Sequence, residues 1–156
     1  MQKKLLVRSL LVCAVACLVG TAAFAGENWV GTWKLNAAKP QMSGGIRAET
    51  LKFEATPAGI KLTSEGTDAQ GKPMKGGYTA KFDGTDVPWA GNPMADTASP
   101  KRIDDNSYEN VWKKGGKVTV TATVSVSADG KTLTVIQDGT DPKGAKVHSV
   151  AVYDKQ

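Results

Sequence analysis

The chain has 156 residues, enough for an export signal and one folded domain, and its 40% hydrophobic and 22% charged residues are typical of a globular protein. Its formal net charge is +5, but three of the 20 basic residues lie within the first eight positions. Without those three, 17 basic residues face 15 acidic ones, a charge of only +2, which does not favour binding to nucleic acid.

The first 25 residues have the pattern of a secretory signal peptide. Lys3, Lys4 and Arg8 precede an apolar run over residues 9–19, and Ala23-Phe24-Ala25 places small residues at the cleavage site. We expect cleavage after Ala25, a single mature domain of residues 26–156, and a periplasmic or secreted protein.

Both cysteines, Cys13 and Cys17, lie within this signal. The mature domain is therefore expected to contain no disulfide and no cysteine-ligated metal. Acylation of Cys17, as in a lipoprotein, is the less favoured alternative because apolar residues continue beyond it. No later segment approaches the roughly 20 apolar residues of a membrane-spanning helix, so we expect no transmembrane segment after cleavage.

Two strands joined by a turn are predicted between residues 50 and 65. Apolar side chains such as Phe53 and Leu62 alternate with polar ones before and after the turn at Pro57-Ala58-Gly59. Alternation with a period of two is typical of a strand that has one face in a hydrophobic core.

The clearest strand pattern runs from Val118 to Ser127, where valine or alanine alternates with threonine or serine. A turn at Ser127-Ala128-Asp129-Gly130 follows, since glycine accepts a left-handed backbone, and a second strand is predicted from Lys131 to Gln137. These residues predict a β-hairpin.

Turn clusters of the same kind recur along the chain, and no long helical pattern separates them. The sequence therefore predicts an all-β protein of about eight to ten short antiparallel strands, arranged as a sandwich or a meandering barrel.

The opening of the mature domain has the sequence Trp29-Val30-Gly31-Thr32-Trp33-Lys34-Leu35-Asn36. It resembles the Gly-x-Trp motif of the calycin barrels. The whole mature chain is similar to small exported bacterial lipocalin-like proteins, through this motif, Gly91-Asn92-Pro93 and the ending Val150–Lys155. The resemblance implies an antiparallel up-and-down barrel, and it implies no reaction.

Gly31 and Trp33 are predicted to have structural roles in this motif. Glycine allows the first strand to bend, and a tryptophan ring offers roughly 150 to 250 Å² of apolar surface to close one end of a barrel. Fatty-acid-binding barrels hold their carboxylate with an Arg-x-Tyr triplet, but here Ala151-Val152-Tyr153 lacks the arginine, so that mechanism is not implied.

Residues for catalysis or metal binding are scarce. His148 is the only histidine, and no Gly-x-Ser-x-Gly motif accompanies it, so it is interpreted as a residue at the barrel rim and not as a triad base or haem ligand. The acidic pairs Asp83 with Asp86 and Asp104 with Asp105 flank turns, where aspartate commonly bonds its own backbone. We expect no enzyme activity, no metal and no cofactor.

Aromatic residues on predicted strands are the candidates for recognition. Tyr78, Tyr108, Trp112 and Tyr153 are predicted to contact a ligand, since tyrosine hydroxyls would orient a molecule in an otherwise apolar barrel. The favoured hypothesis is a barrel that binds a small apolar or amphipathic molecule. The alternative is an interaction module with a side-chain-filled barrel, whose loops, especially Trp89 to Asp96, contact another protein or an envelope component.

Overall fold

A computed structural model describes residues 28–39, 47–67 and 71–156 of the chain. These residues form ten strands and no helix. The predicted signal peptide and both cysteines lie outside the described residues. The strands are β1 (Gly31–Leu35), β2 (Arg47–Thr56), β3 (Gly59–Thr67), β4 (Pro73–Ala80), β5 (Val87–Pro88), β6 (Thr97–Arg102), β7 (Ser107–Lys114), β8 (Lys117–Val126), β9 (Thr132–Thr140) and β10 (Lys146–Lys155).

All ten strands belong to one antiparallel sheet with the order β4-β3-β2-β1-β10-β9-β8-β7-β6-β5. Strand β1 pairs with β2 on one side and with β10 on the other, so the first and last strands of the domain are neighbours. Every other pairing joins strands that are consecutive in the chain. The predicted all-β up-and-down barrel is therefore confirmed, and the described residues contain no helix that could cross a bilayer.

The barrel closes between β4 and the segment that begins with β5. Gly77 and Ala90 form an isolated antiparallel bridge there. Strand β5 itself has only two residues, so the closure is short and the barrel is nearly closed. We call this junction the seam.

The predicted hairpin is confirmed as β8 and β9, but the alternation fails at the start of β8. Val118, expected to face the core, is 60% exposed, whereas Thr119 is buried. The register shifts between Trp112 and Lys113 of β7, which inserts an extra residue opposite them. The Thr119 hydroxyl then points inward and donates to the Met94 carbonyl at 2.9 Å.

One end of the barrel, which we call the closed end, is filled by aromatic side chains. Trp29 stacks on Phe82 with ring centroids 5.8 Å apart, and its edge meets Tyr108 at 5.5 Å. The Arg102 guanidinium lies 5.8 Å from the centre of the Trp29 ring. This packing leaves the opposite end, where β2 and β4 begin and β3 ends, as the place for a cavity.

Gly31 and Trp33 lie near the closed end. Gly31 has φ +139°, a conformation that residues with a side chain rarely adopt. Trp33 is completely buried, and its indole N–H donates to the Trp29 carbonyl at 2.7 Å. The opening motif thus ties the first strand to the turn before it.

Candidate ligand-binding cavity

An interior cavity of about 60 Å³ lies between the closed end and the opposite rim. It extends from buried Phe53 and Tyr108 to the half-buried Met74 and the exposed Glu65 and Gly91. We call the rim at these last three residues the cavity end. Drug-sized ligands fill pockets of about 300 to 1,000 Å³. The cavity as it stands has room for a compact guest only.

Apolar side chains make up most of the cavity wall. Leu51 and Phe53 come from β2, Leu62 from β3, and Val124 and Val135 from β8 and β9. All five are buried. Each stands at an inward position of the two-residue alternation, which is why strands far apart in the sequence contribute to one wall.

Five polar side chains interrupt this wall, and each has a buried polar atom with no hydrogen-bond partner among the described residues. A buried polar atom left unpaired costs roughly 1 to 3 kcal/mol, and native proteins contain few of them. Of the six such side-chain atoms among the described residues, five belong to residues that line this one cavity. The atoms are Nε1 of Trp89, Nε1 of Trp112, Nδ2 of Asn92, Oδ1 of Asn110 and Oε1 of Gln137.

The two tryptophans of this set are held in place by other aromatic rings. Trp89 meets Trp112 edge to face, with centroids 4.9 Å apart and planes at 80°. Trp89 also meets Tyr78 edge to face at 5.0 Å. Since offset and T-shaped contacts are the favoured aromatic geometries, the indole rings are fixed before any guest enters.

The amide of Asn92 is oriented by its own turn. Its Oδ1 accepts the backbone N–H of Met94 at 2.8 Å, which leaves Nδ2 as the unpartnered atom. Asn110 is oriented from β7, because its Nδ2 donates to the Tyr78 hydroxyl at 3.1 Å and leaves Oδ1 unpartnered.

All three tyrosines are buried. Burial raises the pKa of Tyr78 above its usual value, and burial beside Tyr78 does the same to the pKa of Tyr108. The Tyr153 hydroxyl donates to the Ala48 carbonyl at 2.9 Å.

The residues predicted as ligand contacts lie in or beside this cavity. Tyr108, Trp112 and Tyr153 are on its wall, whereas Tyr78 lies behind it, in contact with Trp89 and Asn110. Trp33 is not part of the wall. Contact of these side chains with a ligand stays a prediction.

Sequence reasoning missed four of the five polar side chains of the wall, namely Trp89, Asn92, Asn110 and Gln137. Two of them carried a signal. Asn110 stands between Tyr108 and Trp112 at two-residue spacing, and Gln137 follows Val135 in the same way, so each is a polar residue in an inward-facing row. Asn92 lies outside the strands, so the alternation of residues does not predict whether its side chain faces the interior or the solvent.

The acidic and histidine candidates lie away from the cavity. Asp83 and Asp104 accept backbone N–H bonds from Thr85 and Asn106, and those bonds lower the pKa of each carboxyl. His148 is exposed and forms a 2.6 Å contact with Asp138. Within residues 28–39, 47–67 and 71–156, no three or more His, Cys, Asp or Glu side chains cluster in a way that could hold a metal ion.

No protein-family model matches this sequence, and no curated protein matches it significantly. The nearly closed antiparallel barrel is consistent with a lipocalin-like fold.

Proposed function

We propose that this protein is an exported, non-enzymatic barrel of the calycin type that holds a small uncharged amphipathic molecule in its interior. The observation that carries the proposal is the set of five side chains that line one cavity and that each have a buried, unpartnered polar atom. An apolar wall with a few convergent polar groups is the usual composition of a small-molecule site.

The charges around the cavity support an uncharged ligand. Among the described wall residues, Glu65 is the one with an ordinary ionised side chain, and it lies exposed at the cavity end. Its carboxylate is already paired with Lys75 at 2.6 Å. A charged ligand would be buried without a counter-charge, which is much more costly than burying a neutral polar group that finds hydrogen bonds.

The volume limits the ligand further. At about 60 Å³ the cavity is several times smaller than the roughly 300 Å³ at which pockets for drug-sized ligands begin. Fatty acids, retinoids and haem therefore cannot be enclosed whole unless the barrel rearranges. A compact molecule, or the head of a longer one that leaves through the cavity end, fits the barrel as it is.

The small volume is also the observation that favours the second candidate, an interaction module with a filled barrel. The loop from Trp89 to Asp96, which would contact the partner, gives the interaction module little support. Its residues Trp89, Met94 and Ala95 are buried. Its exposed residues include Gly91, Pro93 and Asp96, so it presents no large apolar side chain to a partner.

The two candidates are separated by titrating the isotope-labelled mature protein with compact uncharged probes such as acetone and isopropanol, followed by NMR. Saturable shifts confined to cavity residues are expected if the barrel is a binding protein. If no compact probe gives a saturable shift, the interaction module replaces it.

A pair of alanine variants makes this test specific to the cavity. Ala122→Val adds two carbons to a buried residue of the cavity wall and is expected to weaken probe binding. Ala80→Val adds the same carbons to a buried residue outside the cavity lining, opposite Ile60 of β3, and it is expected to leave binding unchanged. Thermal melts of both variants verify that each is folded.

A further inference from the structure

We infer that the ligand carries an amide-type group, a carbonyl beside an N–H, which pairs with the indole N–H groups of Trp89 and Trp112 and with the side-chain carbonyls of Asn110 and Gln137. The inference rests on the proposed function and names the chemical class that the cavity selects.

The unpartnered atoms of these cavity-lining side chains define what a ligand that pairs with them must offer. An indole N–H only donates, so Trp89 and Trp112 require an acceptor on the ligand. A carbonyl oxygen only accepts, so Asn110 Oδ1 and Gln137 Oε1 require a donor. Asn92 Nδ2 adds a third donor at the same cavity. The ligand must therefore carry both kinds of group.

The contact between the two tryptophan rings is the basis for assigning them one shared acceptor. Their rings are in contact, with centroids 4.9 Å apart, and both border a cavity of about 60 Å³. A carbonyl oxygen has two lone pairs and accepts two hydrogen bonds. In so small a space, the donor that Asn110 and Gln137 need lies close to that carbonyl, which is the arrangement within an amide.

Ketones and carboxylates, which are similar to amides in shape, each fail one of these requirements. A ketone of the same shape offers no donor, so both side-chain carbonyls stay unpaired, at the cost of a buried unsatisfied group. A carboxylate offers acceptors only, and it brings a charge into a wall that has no buried counter-charge. An amide is neutral and planar, and it offers an acceptor for the two indole N–H groups and donors for the two side-chain carbonyls.

The test compares acetamide, acetone and acetate, which have the same shape and number of non-hydrogen atoms. Each is titrated into the ¹⁵N-labelled mature protein, and the four tryptophan indole N–H signals are followed by NMR. With acetamide, the signals of Trp89 and Trp112 are expected to shift saturably while those of Trp29 and Trp33 do not. Acetone should bind about 5- to 100-fold more weakly, which is the effect of losing two hydrogen bonds, and acetate more weakly still.

Matched variants assign the effect to the indole groups. Trp112→Phe is expected to weaken acetamide binding about 3- to 10-fold. Trp29→Phe is the control, because Trp29 Nε1 is also buried and unpartnered but lies outside the cavity wall, so acetamide binding should not change. Gln137→Met removes a carbonyl and should weaken acetamide but not acetone.

The outcomes separate the two levels of the proposal. Saturable binding of the probes without preference for acetamide, or without an effect of Trp112→Phe, overturns the inference and leaves the binding protein standing. Absence of binding by all three probes means that the cavity holds only water, and it overturns both. If Trp112→Phe fails to fold, the comparison of the three probes on the unaltered protein still decides the matter.

Discussion

Gly77 and Ala90 exchange both of their backbone hydrogen bonds, at 3.1 and 3.3 Å, and so join the two ends of a ten-stranded sheet. The contact is close because the residues beside it are glycines. A Cβ on Gly76 would lie 2.6 Å from the Ala90 carbonyl oxygen, and one on Gly91 would lie 2.1 Å from the Lys75 carbonyl oxygen. Both distances are shorter than a Cβ atom tolerates, so the seam requires glycine at these two positions.

The first prediction compares two glycines with nearly the same backbone conformation. Gly91 has φ +76° and Gly71 has φ +77°, but an added Cβ meets nothing within 4 Å at Gly71. Gly71→Ala should therefore cost only the strain of a left-handed residue, about 1 to 2 kcal/mol. Gly91→Ala adds a backbone clash and should lower the free energy of unfolding by a further 1 to 3 kcal/mol, roughly the cost of overpacking. Urea denaturation measures both, and equal effects would contradict a tightly closed seam.

The second prediction concerns Trp33, whose replacement by alanine should cost about 3 to 5 kcal/mol of stability. Phenylalanine variants separate the hydrogen bond from the packing. Trp33→Phe leaves the Trp29 carbonyl without its donor, whereas Trp29→Phe removes an N–H that has no partner. Trp33→Phe should be the more destabilising of the two by about 1 kcal/mol.

Each of these rings also lies beneath a cation, which is Lys155 at 5.0 Å for Trp33 and Arg102 at 5.8 Å for Trp29. The cation–π contribution to stability therefore largely cancels when the two phenylalanine variants are compared. Calorimetric melts of both variants provide the measurement. A Trp33→Ala protein with an unchanged melting temperature would show that the ring does not stabilise the fold.

The third prediction concerns alkaline pH. Burial raises the folded-state pKa of Tyr78 and Tyr108 above the usual 10.0, so the folded protein favours their neutral forms. Their contribution to stability is fully present below the unfolded pKa of about 10 and is lost as pH rises toward the folded value. Tyrosinate absorbance from these residues should therefore appear together with the loss of the near-ultraviolet circular dichroism. Ionisation of Tyr78 and Tyr108 near pH 10 in a folded barrel would be the opposite result.

The fourth prediction is export with cleavage after Ala25. The basic start, the short apolar run and Ala23-Phe24-Ala25 are the features on which it rests. Intact-mass measurement of the native protein should give a chain that begins at Gly26. A species that retains Met1, or one that carries a lipid on Cys17, would show a different route.

The strands and hairpins were predictable because their signal is local. Alternation over ten residues suffices to identify β8, and a turn such as Ser127–Gly130 marks the place where the chain reverses. The burial of Thr119 is the exception. It could be predicted only from the pairing with the partner strand, since the extra residue appears only when β8 is aligned with β7. No pattern within β8 alone contains that information.

The candidate site was predictable only in part. Tyr108, Trp112 and Tyr153 could be chosen as inward aromatics, but their convergence with Trp89 depends on the seam, which joins residues 13 positions apart through a single bridge. The unpartnered state of Asn110 and Gln137 is likewise a property of their neighbours in space. A sequence states which groups need partners, but the packing decides which of them lack one.

All four tryptophans of the chain are buried, two in the wall of the cavity and two at or near the closed end. The protein therefore has intrinsic fluorescence reporters both at the cavity and at the closed end. Emission from Trp89 and Trp112 responds to what occupies the cavity, whereas emission from Trp29 and Trp33 responds to the opening motif. Phenylalanine variants that remove one pair at a time would let occupancy and unfolding be followed separately, without a dye.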